Sequence, residues 1–237
     1  MATETLWESR VTFAPPNPQA VLALLDRTAQ RNPVQLGHRL LWSLFADGPG
    51  RQRDFLYLVE QERPFTAVVR SARPPLDGLG GMWRIERSYR FAPVLHEGMR
   101  LRFRLKAVPV TWVRHGAGEP TKRQDVIVAA WQRLPAQERA DEDRRAEAAG
   151  TAIDRWLARQ GEKSGFMVEE VMLLDYDRRR VPTGRTAQRI VFGAVTLEGR
   201  LIVQAAEPFR LALHQGLGSA RGFGHGLLQI APAGQAL

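Results

Sequence analysis

The 237-residue chain has no cysteine, only three lysines and no long apolar run. Without cysteine it forms no disulfide framework, no thiolate metal site and no cysteine nucleophile, which fits a reducing compartment. Runs such as AVLALL at 20–25 are stopped at once by Asp26 and Arg27, short of the roughly 18 apolar residues that a membrane helix needs. The opening MATETLWESR carries two glutamates where a secretory signal is basic and then apolar. These absences predict a cytoplasmic protein with no membrane partner.

What is present is arginine. The chain has 34 Lys+Arg against 25 Asp+Glu, a formal charge of +9 and a pI near 11.0, and lysine supplies only Lys106, Lys122 and Lys163. The planar guanidinium fork suits phosphate and base recognition, so nucleic acid leads the list of partners. A GC-rich coding sequence would enrich arginine equally, and net charge bears on association rather than on fold. With 44% hydrophobic residues the chain can fill one large core or two small ones.

The order of elements predicts two domains of α+β class. TLWESRVTFA reads as a strand, 19–30 and 34–45 as helices, RDFLYLVEQ and PFTAVVRSA as a hairpin over 54–71, and WRIERSYRF as a further strand after the turn-rich RPPLDGLGG. HEGM then marks a boundary near His96. Beyond it come the run LRFRLKAVPVTWVRH, helical DVIVAAWQRL, and ADEDRRAEAAGTAIDRWLARQ with an Ala149, Ile153, Trp156 face. MVEEVMLLDY and TAQRIVFGAVTL form a strand pair, followed by the strand GRLIVQA, a short helix at 208–214 and the strand GLLQIAP. Each half approximates βαββαβ, two tandem ferredoxin-like (RRM-like) domains at 1–96 and 97–237.

GLGSARGFGHGLLQIAP holds glycines at 216, 218, 222, 224 and 226. Glycine allows positive φ and close backbone approach, so the loop could cradle a phosphate or pack tightly as a crossover. The spacing is GxGxxxG with only eleven residues after Gly226, which excludes a dinucleotide fingerprint. DYDRRRVPTGRTAQR places Arg178, Arg179, Arg180, Arg185 and Arg189 about a turn, a density that suits the phosphates of an A-form stem. His96, His115, His214 and His225 have no metal-ligand spacing, and Asp175 and Asp177 adjoin three arginines, so no metal and no cofactor are expected. The six tryptophans fall mostly in apolar runs and read as core.

This glycine-rich ending resembles that of the repeat-associated RNA-binding proteins of CRISPR systems. HRLLWSLF followed by RDFLYLVE, the strand LRFRLKAVPV, and KRQDVIVAAWQRL resemble, in order, segments of the CasE family, the repeat-RNA endoribonucleases of type I-E Cascade. The resemblance implies tandem ferredoxin-like domains and a metal-independent cut at the 3′ base of a CRISPR repeat stem-loop, leaving a 2′,3′-cyclic phosphate and a 5′-hydroxyl. The protein would stay on the mature guide beside the backbone subunit of Cascade.

His38 matches the histidine that opens the family's helix motif. On the residues alone it could be a packed side chain, since it shares a stripe with Trp42 and Phe45. Gly37 beside it predicts a gap through which a backbone could approach. Histidine can serve either proton role when a 2′-hydroxyl attacks its own phosphate, and Arg39 could steady the phosphorane charge. The tyrosine common shortly before the family histidine is absent, the positions being Val34 and Gln35. RNA contacts are expected from Lys122, Arg123, the five hairpin arginines, and Gly216, Gly218, Ser219, Arg221, Gly222 and Gly224 of the loop. Two other readings remain at this stage: a non-catalytic RNA-binding scaffold of the same superfamily, and a phosphate-ligand metabolic enzyme using the glycine loop.

Overall fold

In a computed structural model, which describes residues 6–17, 19, 33–45, 53–78, 80–114, 116, 118, 120–182 and 189–235, two four-stranded sheets organise the chain. The chain divides into two compact units. The first contains residues up to Val94 together with Val181–Ile190 and Ala220–Leu227; the second contains Leu95–Arg180, Val191–Ser219 and the end of the chain from Leu228. The helix read over 19–30 lies outside the described residues, Gln19 apart.

The first sheet is built from β1 (Leu6–Phe13), β2 (Phe55–Glu62), β3 (Phe65–Ser71) and β4 (Trp83–Phe91), ordered β2-β3-β1-β4. Helix α1 (Pro33–Trp42) lies between β1 and β2 in the chain and ends three residues before the expected Phe45. Val11, Phe55, Tyr57, Ala67 and Val69 point from alternate strand positions into one core with Leu40, Leu41, Leu44 and Phe45, as the two-residue strand period requires. Between β3 and β4 the described residues hold no helix. Arg73, Pro74 and Pro75 begin this connection, and proline cannot donate to a helical ladder, so the first unit departs from the full βαββαβ plan there.

The second sheet uses β5 (Arg100–Ala107), β8 (Phe166–Pro182), β9 (Arg189–Val203) and β10 (Leu228–Pro232), ordered β10-β5-β9-β8. Numbered by chain position, the strands of both sheets run 4-1-3-2, and this is the ferredoxin-like arrangement. In β5 Leu101, Phe103, Leu105 and Ala107 are buried while Arg100 and Arg104 face water. The expected single run through residue 115 instead divides at Pro109, and Val110–Val113 (β6) pairs with Lys122–Asp125 (β7) in a separate ribbon. Helices α2 (Val126–Arg133), α3 (Glu142–Ser164) and α4 (Ala206–Gln215) complete the unit. Asp125 and Asp141 cap α2 and α3 by accepting backbone N–H bonds, and Gly165 closes α3 with φ 70°.

Two further expectations change. From Arg189 to Val203 the two expected segments run as one strand, β9, because Gly199 is a close approach rather than a turn: an added Cβ would strike the Glu170 carbonyl on β8. Arg178, Arg179 and Arg180 belong to strand β8 rather than to the turn, Arg189 opens β9, and Arg185 lies outside the described residues.

The first sheet also contains a buried charge pair. Arg70 is 2% exposed, and its Nε and Nη2 donate to Glu8 Oε2 at 3.0 and 2.5 Å. Its guanidinium lies 3.8 Å from the Phe91 ring centroid. Tyr89 donates to the other Glu8 oxygen at 2.7 Å, and burial, then this carboxylate, push its hydroxyl up to about 12. Glu8→Ala strands the guanidinium, so urea denaturation should show a loss of about 3–5 kcal/mol. Adding Arg70→Met should recover most of that loss.

Candidate active site

Helix α1 buries Leu40 and Leu41 and places His38 and Trp42 four residues apart on one face. Gly37 has a steric role. An added Cβ would lie 2.7 Å from Phe65 Cε2, so the glycine lets α1 close on β3. The gap expected beside the imidazole is therefore filled by the Phe65 ring.

The Trp42 indole N–H donates to His38 Nε2 at 3.1 Å. An indole nitrogen only donates, so Nε2 is the acceptor and the neutral ring carries its proton on Nδ1. Nδ1 is sealed from solvent and makes no hydrogen bond of normal geometry among the described residues. Phe223 lies across the ring, with centroids 6.0 Å apart. Burial lowers the His38 pKa below its ordinary value, Arg53's charge lowers it further, and Arg39's adds a smaller push. The Gly222 carbonyl opposes this fall, drawing on the imidazole proton. The neutral, proton-accepting form is thus favoured.

The glycine loop supplies Gly222 and Phe223. Ala220 enters αL (φ 57°) to start the short 3₁₀ turn Arg221–Phe223, and Gly224 (φ 81°) ends it. The Tyr57 hydroxyl donates to the Gly222 carbonyl at 3.1 Å. Tyr57 is 1% exposed, and burial raises its pKa so far that it remains a donor. A Cβ on Gly224 would come within 2.9 Å of the Tyr57 ring, and one on Gly222 within 3.3 Å of Arg53 Nη1. Leu227 then packs with Leu56, Leu58 and Val68.

The other expected residues are dispersed. Arg39 is exposed on α1. Gly216 caps α4, and Gly218 is required by packing, since a Cβ there would meet Trp156 at 3.1 Å and the Val108 carbonyl at 3.3 Å. The Ser219 N–H donates to that carbonyl at 3.2 Å. Within the loop, Gly216, Gly218 and Ser219 therefore belong to the second unit, while Arg221, Gly222 and Gly224 belong to the first. Lys122 and Arg123 are exposed on β7, and Arg178 is exposed on β8. Among the described residues no three His, Asp or Glu side chains are grouped to hold a metal ion.

Three residues escaped the sequence reading. Arg53 and Tyr57 lie within RDFLYLVE, whose residues read as part of a strand with no individual role. Trp112 is 66% exposed opposite Arg123 in the β6-β7 ribbon, unlike the buried Trp83 and Trp156.

Residues 6–232 match the model of the family described as CRISPR associated protein. The CRISPR-associated endoribonuclease Cse3 of Thermus thermophilus is 29% identical over 227 residues, covering 91% of this chain and 90% of that protein. Thermus thermophilus Cse3 bound to an RNA representing a pre-cleavage complex superposes with TM-score 0.63 at 27% identity, over 96% of this chain and all of that one. A chain of a CRISPR RNA-guided surveillance complex shares the fold at TM-score 0.60 and 21% identity, over 95% of this chain and 99% of that one. With the 4-1-3-2 sheets and the histidine set against a glycine-rich loop, these likenesses place the chain in the CRISPR-associated protein family, as a member of its CasE group.

Proposed function

We propose that this CasE-group endoribonuclease cleaves CRISPR repeat RNA with His38 as the base that takes the proton of the attacking 2′-hydroxyl. The observation that carries the reading is the neutral imidazole held between α1 and the glycine loop with arginine charge beside it. Nε2 is the acceptor of the neutral ring. Trp42 holds it, and the substrate hydroxyl takes the indole's place. The O2′–P bond forms as the P–O5′ bond breaks, the 2′ proton passes to His38, and the departing O5′ takes a proton from solvent water to leave a 5′-hydroxyl and a 2′,3′-cyclic phosphate. No redox partner is needed.

Arg39, expected to steady the phosphorane charge, is exposed on α1 and is assigned instead to binding, with Lys122, Arg123, Arg178, Arg179, Arg180, Arg185, Arg189, Arg221 and the loop backbone from Gly216 through Gly218, Ser219, Gly222 and Gly224. Contacts along the phosphates position an A-form stem without reading its bases. The likeness to a chain of a CRISPR RNA-guided surveillance complex supports retention on the cytoplasmic guide as a Cascade subunit, next to its backbone subunit. No helix among the described residues is long and apolar enough to cross a membrane.

His38→Ala should lower single-turnover cleavage by about 10²–10⁴-fold and leave repeat-RNA affinity within several-fold of wild type, measured on one preparation by cleavage and gel shift. Undiminished cleavage would remove His38 from the reaction. The pH dependence follows from the lowered pKa. A base must be unprotonated, so cleavage at subsaturating RNA should rise with pH through a midpoint below the ordinary histidine value of about 6.5 and then level off. A rate falling as pH rises through that range would make His38 the acid.

Replacing Arg178, Arg179 and Arg180 together by alanine should flatten the salt dependence of stem-loop binding. The slope should drop by about 2–3 in log K against log salt if each arginine neutralises one phosphate.

A further inference from the structure

The first unit contains the buried Arg70 and the half-buried Arg73 and Arg53, in contrasting circumstances. Arg70 is satisfied by Glu8, and Arg73 donates to Asp54 at 3.0 Å. Arg53 is half-buried at the edge of the site, yet it forms no ion pair among the described residues and its Nη1 is sealed without a hydrogen-bond partner. Its charged neighbour Arg221 bears the same sign.

Placing an unpaired cation here is costly. Desolvation of a guanidinium is offset only by a counter-charge or by full hydrogen bonding, and the described protein offers neither to Nη1. Gly222 indicates what the arrangement accommodates. Its φ is not in the left-handed region, so backbone conformation does not demand glycine. The Arg53 guanidinium stands 3.3 Å from where a Cβ would lie, so the bare backbone lets Nη1 keep its place without shifting. The loop backbone thus lies against Arg53, and Arg53 is the foremost charged group acting on the His38 imidazole.

We infer that Arg53 receives the scissile phosphodiester, its guanidinium pairing with the non-bridging oxygens beside His38 and compensating the charge that develops on them as the 2′-oxygen attacks. The assignment rests on the endoribonuclease reading and adds to it the group that stabilises the phosphorane. A planar fork fits two phosphate oxygens at once, and a donor already desolvated acts more strongly than one in water. Arg53 neither gains nor loses a proton: O2′–P forms, P–O5′ breaks, the 2′ proton goes to His38 and solvent water protonates the departing O5′. The anion also supplies a counter-charge that Arg53 does not find among the described residues. Arg221, placed to hold the same phosphate from the loop, and Arg39, outward on α1, assist in binding.

The test compares wild type, Arg53→Met, Arg53→Lys and His38→Ala on a repeat stem-loop RNA under single turnover at saturating protein, with urea denaturation of each RNA-free protein. Arg53→Met should cleave about 10²–10³-fold more slowly while binding weakens less than tenfold. Its urea midpoint should equal or exceed that of wild type, because a half-buried charge with no counter-charge among the described residues has been removed. Its cleavage should also show an acid limb moved to higher pH, since the stronger of the two positive charges acting on His38 is gone and the weaker push of Arg39 remains. Arg53→Lys should recover part of the rate and return the acid limb toward wild type.

Arg53→Met cleaving within threefold of wild type while His38→Ala is inactive would overturn the role of Arg53 and leave the base in place. A lowered urea midpoint in both Arg53 variants, with an unmoved acid limb, would make Arg53 a packing residue and overturn it equally. Normal cleavage by His38→Ala would instead overturn the endoribonuclease mechanism on which the inference rests.

Discussion

The hydrogen bond from the Tyr57 hydroxyl to the Gly222 carbonyl ties the end of the chain to the first sheet. Sequence separates the two residues by 165 positions, and the entropy of closing so long a loop must be met by contacts at its ends. Leu227 contributes apolar burial against Leu56, Leu58 and Val68, but the hydrogen bond sets the register of the 3₁₀ turn. Register decides which groups surround His38. Phe223 comes to lie across the ring and Gly222 over Arg53, and both consequences would change if the turn slipped by one residue.

The electrostatics of the site follow from that closure. Burial withdraws water from an imidazole and a guanidinium together, and each then responds to the other more strongly than it would in solvent. The imidazole responds by losing affinity for its proton. A guanidinium cannot follow by neutralising, since its pKa remains far above physiological pH. The sheet manages a similar cost differently at Arg70, where Glu8, Tyr89 and Phe91 enclose the charge. One unit therefore holds an arginine paired by a carboxylate of its own sheet and another, Arg53, that has no counter-charge among the described residues.

Periodicity made much of the fold legible in the sequence. The alternation of Leu101, Phe103, Leu105 and Ala107 marks a half-buried strand, and the Ala149, Ile153, Trp156 spacing marks the buried face of α3. Glycine was less transparent because it serves several needs under one letter. Gly37 and Gly199 meet steric demands from distant segments, Phe65 and Glu170, which local sequence does not contain. Pro109 divides what reads as one strand. The site was legible only through His38 and the loop, since Arg53 and Tyr57 acquire meaning from a contact with residues more than 160 positions later. Trp112 shows the converse, an aromatic in an apolar run that the ribbon exposes.

The central claim is that the chain's own groups direct a 2′-hydroxyl onto its neighbouring phosphate. Incubation of the protein with a repeat stem-loop RNA in excess EDTA, followed by sizing and analysis of both new ends, tests it most directly. The account predicts a cut at the 3′ base of the stem that leaves a 2′,3′-cyclic phosphate and a 5′-hydroxyl at a rate unaffected by the chelator. Cleavage that requires a divalent ion, or that leaves a 3′-hydroxyl and a 5′-phosphate, would contradict it.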